Sequence, residues 1–179
     1  MCSSDLSTVN NRAAGDDILI GNSGTVVDGG AGNDALAFNE GFLVTGGAGD
    51  DQLFNNTGVI VDGGAGNDVL VDNTGFLVTG GDGDDALGGN SGFIVDGGNG
   101  NDLLVGNEGF LVTGGNGDDA LIGNVGAIVD GGNGDDLLAF NAALFIEGGN
   151  GDDALIGNFG AIEVDGGAGN DFLLGNVTF

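Results

Sequence analysis

The sequence predicts an all-β fold, a parallel β-solenoid of about ten coils, on three observations. The string Gly-Gly-x-Gly-Asn/Asp-Asp begins at Gly29, Gly46, Gly63, Gly80, Gly97, Gly114, Gly131, Gly148 and Gly166, and a fixed short period marks a repeat architecture. Between these strings lie two short apolar runs per repeat, rich in β-formers and too short for helices. One leucine and one asparagine also recur in every repeat at constant phase.

Within the repeat Gly41–Thr57 the order is Gly-Phe-Leu-Val-Thr, Gly-Gly-Ala-Gly-Asp-Asp, Gln-Leu-Phe, Asn-Asn-Thr. That reads as strand, turn, strand, turn, with strands of about three to five residues. Ten coils stacked at about 4.8 Å make a rod of about 48 Å. In the first strand, Val27, Val44, Val61, Val78, Val95, Val112, Val129, Ile146 and Val164 form the most uniform column and are placed inside. The neighbouring column (Val26, Leu43, Ile60, Leu77, Ile94, Leu111, Ile128, Phe145) then faces outward as an aliphatic interaction stripe. The opposite phase, with that column buried, is the alternative.

The glycine-rich turn follows, its first, second and fourth glycines expected to take φ > 0. The second strand is anchored by Leu19, Leu36, Leu53, Leu70, Leu87, Leu104, Leu121, Leu138, Leu155 and Leu173, which point inward between variable flanks. In the second turn stand Asn22, Asn39, Asn56, Asn73, Asn90, Asn107, Asn124, Asn141, Asn158 and Asn176. Stacked amides both donate and accept, which suits a ladder along the rod. Tolerance of a left-handed turn is the alternative reason for asparagine.

A single domain is expected over residues 7–179, with a degenerate first turn from Arg12 to Asp17 and Met1–Leu6 as a tail or expression scar. Cys2 is the only cysteine, so an intrachain disulfide is excluded, and a lipid-anchored mature start at Cys2 is the alternative reading of that segment. No apolar run approaches the roughly 18 residues of a membrane span.

The 179 residues carry 28 acids against one base, a formal net charge of −27. Nucleic acid and anionic membrane surfaces are thereby excluded as direct partners. The 40% hydrophobic content, held at fixed phase, argues for a folded chain whose charge is cancelled by cations rather than for disorder. Catalysis finds no support: His, Lys, Tyr and Trp are absent, and no base is available to activate the few serines. Acid pairs such as Asp118–Asp119 and Asp152–Asp153 are copies of one turn, not a unique cleft.

The sixth turn position places a carboxylate at the same point of each coil. Stacking sets neighbours about 5 Å apart, where two unit charges repel by about 3 kcal/mol at an effective dielectric of 20. A hard divalent cation between turns reverses that sign, and Ca²⁺ accepts six to eight carboxylate and carbonyl oxygens. Transition metals are disfavoured without histidine. A second alternation surrounds the row. Asp28, Thr45, Asp62, Thr79, Asp96 and Thr113 precede the double glycine, while Asn33, Asp50, Asn67, Asp84, Asn101 and Asp118 hold the fifth position. The swap keeps carboxylate number constant from coil to coil, and duplication of a 34-residue unit explains it equally well.

The turn with its leucine, as in Gly63-Gly64-Ala65-Gly66-Asn67-Asp68-Val69-Leu70-Val71, resembles the nonapeptide of the RTX (hemolysin-type) calcium-binding repeats. The resemblance recurs over Gly29–Leu174. It implies a parallel β-roll with Ca²⁺ held by the sixth-position carboxylates Asp34, Asp51, Asp68, Asp85, Asp102, Asp119, Asp136, Asp153 and Asp171. It also implies backbone carbonyls of paired turns as ligands. These are assigned to the second and fourth glycines: Gly30 and Gly32, Gly47 and Gly49, Gly64 and Gly66, Gly81 and Gly83, Gly98 and Gly100, Gly115 and Gly117, Gly132 and Gly134, Gly149 and Gly151, and Gly167 and Gly169.

Nine turns leave eight gaps, and one ion in each gap would lower the formal charge from −27 to −11. The resemblance further implies a secreted bacterial protein, exported by a type I system and folding in external calcium. One departure stands out: the second edge reads Gly/Phe-Asn-x-Gly, so calcium is expected on one edge only, similar to RTX-like adhesin domains that bind ice.

Two functions follow as expectations. In the first, the rod is a calcium-folded structural module. In the second, its outer face recognises ice, glycan or another rod. Ice recognition suits a regular polar array, but the third turn position reads Ala31, Ala48, Ala65, Asp82, Asn99, Asn116, Asn133, Asn150 and Ala168, only half a ladder. Self-association is expected through the Leu43–Leu111 stripe or end to end through Phe172 and Phe179.

Overall fold

The computed structural model describes Val9–Asn10 and residues 14–179, and no helix occurs among the described residues. Two ten-stranded parallel sheets run the length of the rod, one built of long strands and the other of three-residue strands. The long strands are Ser23–Ala31, Glu40–Ala48 and their successors, and the short ones run from Ile18–Ile20 to Phe172–Leu174. Each strand pairs with its own copy one coil away, as in Val27↔Val44 and Leu36↔Leu53. The fold is therefore the expected parallel β-solenoid. The tail at Met1–Leu6, Cys2 and the Arg12–Ala13 part of the first turn lie outside the described residues.

The core is one valine and one leucine thick. Val27 through Val129, Ile146, and Leu36 through Leu155 are buried at their repeat positions, so the chosen phase of the first strand is the observed one. The last coil of the stack is the exception, with Val164 only partly buried and Leu173 46% exposed. Its neighbour column, expected to face outward, does so but is half-buried rather than open.

Two corrections concern the long strands. They span nine residues, because the first three turn positions continue the inter-coil ladder instead of leaving it. Their most exposed apolar column is Phe42, Val59, Phe76, Phe93 and Phe110, not the leucine–isoleucine column beside it. Strict alternation would put Phe42 on the same side as Val44. The inter-coil ladder skips Phe42, passing from Gly24↔Gly41 to Val26↔Leu43, and the chain bends so tightly that a Cβ at Gly41 would crowd the Leu43 carbonyl at 2.8 Å; the phenylalanine is turned out. Phe76, Phe93 and Phe110 stack with ring centroids 5.1 and 5.0 Å apart. Where alanine replaces this glycine, at Ala143, the long strand is interrupted and resumes at Phe145. The equivalent Gly126 has the Gly109 carbonyl 2.9 Å from its Cβ position, which explains the break.

The second turn is closed by the asparagine ladder. Asn56 Nδ2 donates to Asn73 Oδ1 at 3.0 Å and to the Leu36 carbonyl at 2.9 Å, while Asn56 N–H donates to the same Asn73 Oδ1 at 2.9 Å. Asn39 through Asn158 are fully buried. The left-handed residue of this turn is the one before the asparagine: Phe38, Asn55, Asp72, Gly89 and their equivalents. Asparagine is therefore used for its amide, not for its tolerance of φ > 0.

Candidate metal centre

The opposite edge is built by the glycine-rich turn. Its second and fourth glycines take positive φ, 114° at Gly47 and 128° at Gly49, as expected. Each also sits against the carbonyl of the same glycine one coil earlier, closer than any Cβ allows. The first glycine does not have positive φ, which corrects the expectation for that position. Its reason is steric. A Cβ at Gly46 would fall under 3.0 Å from both Asp51 Oδ2 and the carbonyl oxygen of Gly63 in the next coil. The same pair of oxygens converges at Gly63, Gly80, Gly97, Gly114 and Gly131.

The sixth-position aspartates enter the short strands with their side chains turned into the turn. Asp34, Asp51, Asp68, Asp85, Asp102, Asp119, Asp136 and Asp153 are each at most 3% exposed. One carboxylate oxygen is fully used: Asp51 Oδ1 accepts the N–H of Asp34 at 2.7 Å, and Asp102 Oδ1 that of Asp85 at the same distance. The other is not. Oδ2 of Asp17, Asp34, Asp51, Asp68, Asp85, Asp102, Asp119, Asp136 and Asp153 is buried without any hydrogen-bond partner. Asp171, in the last coil, is half-buried and closes the ladder by accepting from Asp153 at 3.1 Å.

A buried oxygen without a partner is costly, since desolvation of the group goes uncompensated. Burial pushes the carboxyls of Asp68, Asp85, Asp102, Asp119 and Asp136 up to about 7 and that of Asp51 to about 6. The backbone N–H bond opposes this rise, and the neighbouring carboxylates add to it. The row thus holds charge only at a cost, which a proton or a cation removes.

The donor set decides which cation fits. The potential ligands brought together there are oxygens: an orphaned carboxylate oxygen from one coil and a first-glycine carbonyl from the next. Such a set suits a hard ion, Ca²⁺ foremost. Among the described residues no three acidic side chains converge as ligands, so carbonyls must complete any coordination shell. The carbonyl beside each orphaned oxygen is that of a first glycine, a position to which sequence reasoning, with its second and fourth glycines, assigned no role.

The surrounding alternations have distinct roles. Fifth-position side chains form a ladder of opposite sense: Asp16 Oδ1 accepts from Asn33 N–H at 3.0 Å, Asn33 Oδ1 from Asp50 at 3.1 Å, and Asp50 Oδ1 from Asn67 at 2.9 Å. Either residue supplies the acceptor, so the Asn/Asp swap is free of structural cost there. At the third position an exposed amide ladder runs from Asp82 through Asn99, Asn116 and Asn133 to Asn150. On the outer face of the long strands, Asp130, Glu147 and Asp165 stand in register and border an open groove of about 420 Å³.

Comparison with known families bears directly on this turn. The family profile of the RTX calcium-binding nonapeptide repeat (4 copies) matches residues 43–59, 60–76, 94–110, 111–127 and 145–161. The chain carries RTX calcium-binding repeats. Each match spans one whole coil, so the family's repeat and the solenoid's structural period coincide. No curated protein and no solved structure matched the chain. In this RTX array the orphaned aspartate oxygens lie on the glycine-rich edge, and the asparagine ladder occupies the other.

Proposed function

We propose that this chain is a calcium-binding structural repeat module that folds when Ca²⁺ enters the glycine-rich edge. One observation carries the reading: an unpartnered, buried carboxylate oxygen recurs at the same place from coil to coil. Asp34, Asp51, Asp68, Asp85, Asp102, Asp119, Asp136, Asp153 and Asp171 supply the charge, and turn carbonyls supply the remaining oxygens. The first-glycine carbonyl of the following coil joins the second and fourth glycines as a candidate. Bound calcium would neutralise the row, and its binding free energy would add to the stability of the stacked state. About one ion per pair of adjacent turns matches the one-sided distribution of the orphaned oxygens.

Secretion belongs to the same proposal, because calcium met outside the cell would separate an unfolded exported chain from a folded extracellular one. The third-position amide ladder supports a second, adhesive role on ice or glycan over only five coils, which is the weaker support of the two. Calcium titration followed by circular dichroism tests the main reading. The β signal should rise with calcium and collapse in excess chelator at pH 8. A β spectrum unchanged by chelator, with no calcium bound in equilibrium dialysis, would refute it.

A further inference from the structure

The short-strand sheet has a second face, turned to solvent. Each strand presents two outward residues, from Ile18 and Ile20 in the first strand to Phe172 and Leu174 in the last. None of these positions is charged, and only Gln52 is polar. In a chain with 28 acids that segregation is pronounced. The long-strand face, by contrast, carries Asp28, Asp62, Asp96 and Asp130 along one outward column. Two copies meeting there would bring like charges together. The short-strand face is a broad surface on which two such acidic rods can approach without that repulsion.

The rim of this face shows a second feature. The residue after the outward pair takes positive φ and is glycine in six coils. In two coils it is phenylalanine instead: Phe38 at φ 56° and Phe140 at φ 57°, 63% and 61% exposed. A non-glycine residue in that conformation is disfavoured by about 1 kcal/mol or more. The Phe140 ring leans over Gly157 of the next coil, yet both rings stay mostly exposed, and exposed aromatic rings at strained positions on the edge of an apolar face point to a contact outside the monomer.

Their placement identifies the contact. Phe38 lies three coils before the Ala86–Gly88 strand, and Phe140 lies three coils after it. We propose that two copies of this chain pair face to face through the short-strand sheets, with antiparallel rods and a two-fold axis at Gly88. Each Phe38 then meets the partner copy's Phe140, and the interface is isologous. Val69 and Val71 face Leu103 and Val105, Phe54 faces Ile122, and the small Ala35 faces Leu137. Gly88, a dent between Val71 and Val105, meets itself at the axis. The one rim acid, Asp72, falls opposite Gly106. Nine of the ten strands overlap.

Nine strands at about 4.8 Å by four residues at about 3.3 Å give roughly 570 Å² per partner. That is below the roughly 800 Å² of a standard stable interface, so association at about micromolar concentrations or above is expected.

Sedimentation velocity on the full chain in calcium, from about 5 to 500 μM, tests the proposal. The mass should move from 17.3 kDa toward twice that value. Val105→Asp should leave a monomer with an unchanged β spectrum. The double variant Phe38→Gly/Phe140→Gly should weaken dimerisation at least tenfold while leaving the monomer no less stable. Phe93→Ser, on the long-strand side, should not affect it. A wild-type monomer throughout the range overturns the proposal, as does a dimer abolished by Phe93→Ser but not by Val105→Asp. So does a monomer that adsorbs to octyl-derivatised resin without pairing, which would give the face to a foreign apolar surface. Spectra recorded with chelator on the same samples separate failure of the calcium reading from failure of this one.

Discussion

Replacing Asn107 by alanine removes four hydrogen bonds from the middle of the rod. Its Nδ2 donates to the Leu87 carbonyl at 2.8 Å and to Asn124 Oδ1 at 3.1 Å. Its Oδ1 accepts from Asn90 N–H at 2.9 Å and from Asn90 Nδ2 at 3.0 Å. Three of the four partners keep other bonds. Asn124 Oδ1 still accepts the Asn107 N–H, Asn90 Nδ2 still reaches the Leu70 carbonyl, and the Leu87 carbonyl keeps its place in the ladder with the Leu103–Val105 strand. The Asn90 N–H is left buried and unpaired. At about 1–3 kcal/mol for the orphaned donor and about 1 kcal/mol for the other bonds lost, the expected loss is about 3 kcal/mol. Among the described residues, Asn22→Ala, in the first coil, removes only the Nδ2 donation to Asn39 Oδ1 and orphans no backbone N–H, so about 1 kcal/mol or less is expected. Urea unfolding in saturating calcium, read by far-UV circular dichroism, measures both. Because each coil contacts only its neighbours, the central variant should also broaden the transition as the two halves uncouple. Equal losses for Asn107→Ala and Asn22→Ala, both under 1 kcal/mol, would refute the ladder as a source of stability.

Three further outcomes follow from the glycine-rich edge. Asp102→Asn keeps the acceptor for the Asp85 N–H but removes a charge bordering two gaps, so calcium stoichiometry by equilibrium dialysis should fall while the calcium-loaded rod stays folded; unchanged stoichiometry would contradict the ligand assignment. Gly97→Ala forces a Cβ into Asp102 Oδ2 and the Gly114 carbonyl and should cost about 3 kcal/mol, whereas Gly106→Ala, at φ 64° with nothing near, should cost about 1; the reverse order in urea melts would count against the packing described.

The pH dependence has a defined sign. The row aspartates have folded values near 7, above their ordinary 3.8, so protonation favours the calcium-free rod. That contribution is complete below pH 3.8 and is lost as pH rises through about 7. In chelator the β signal should therefore strengthen from pH 8 to pH 5. A flat profile, or one of opposite slope, would remove the buried-carboxylate account.

Much of this architecture was legible in the residues, and the reason is periodicity. Identical side chains stacked at one coil spacing reinforce each other, so Val44, Leu53 and Asn56 declare inside positions simply by recurring. The all-β class, the in-register parallel pairing and the asparagine ladder follow from that. The aspartate row was visible for the same reason, as was the resemblance that gave it a metal.

Other features depend on where neighbouring coils place their atoms, which a period does not specify. Gly46 reads as one more flexible turn glycine, yet its lack of a side chain answers to Asp51 Oδ2 and to a carbonyl seventeen residues on. Phe42 alternates with Val44 as if both were core, and only the bend at Gly41 turns the ring outward. The two oxygens of each aspartate are equivalent in sequence. Stacking commits one to the preceding coil's N–H and strands the other. The sequence by itself determined the repeat, the core and the identity of the acids. The tertiary structure decided which oxygen is left without a partner, because that depends on the distance between coils rather than on the residues within one.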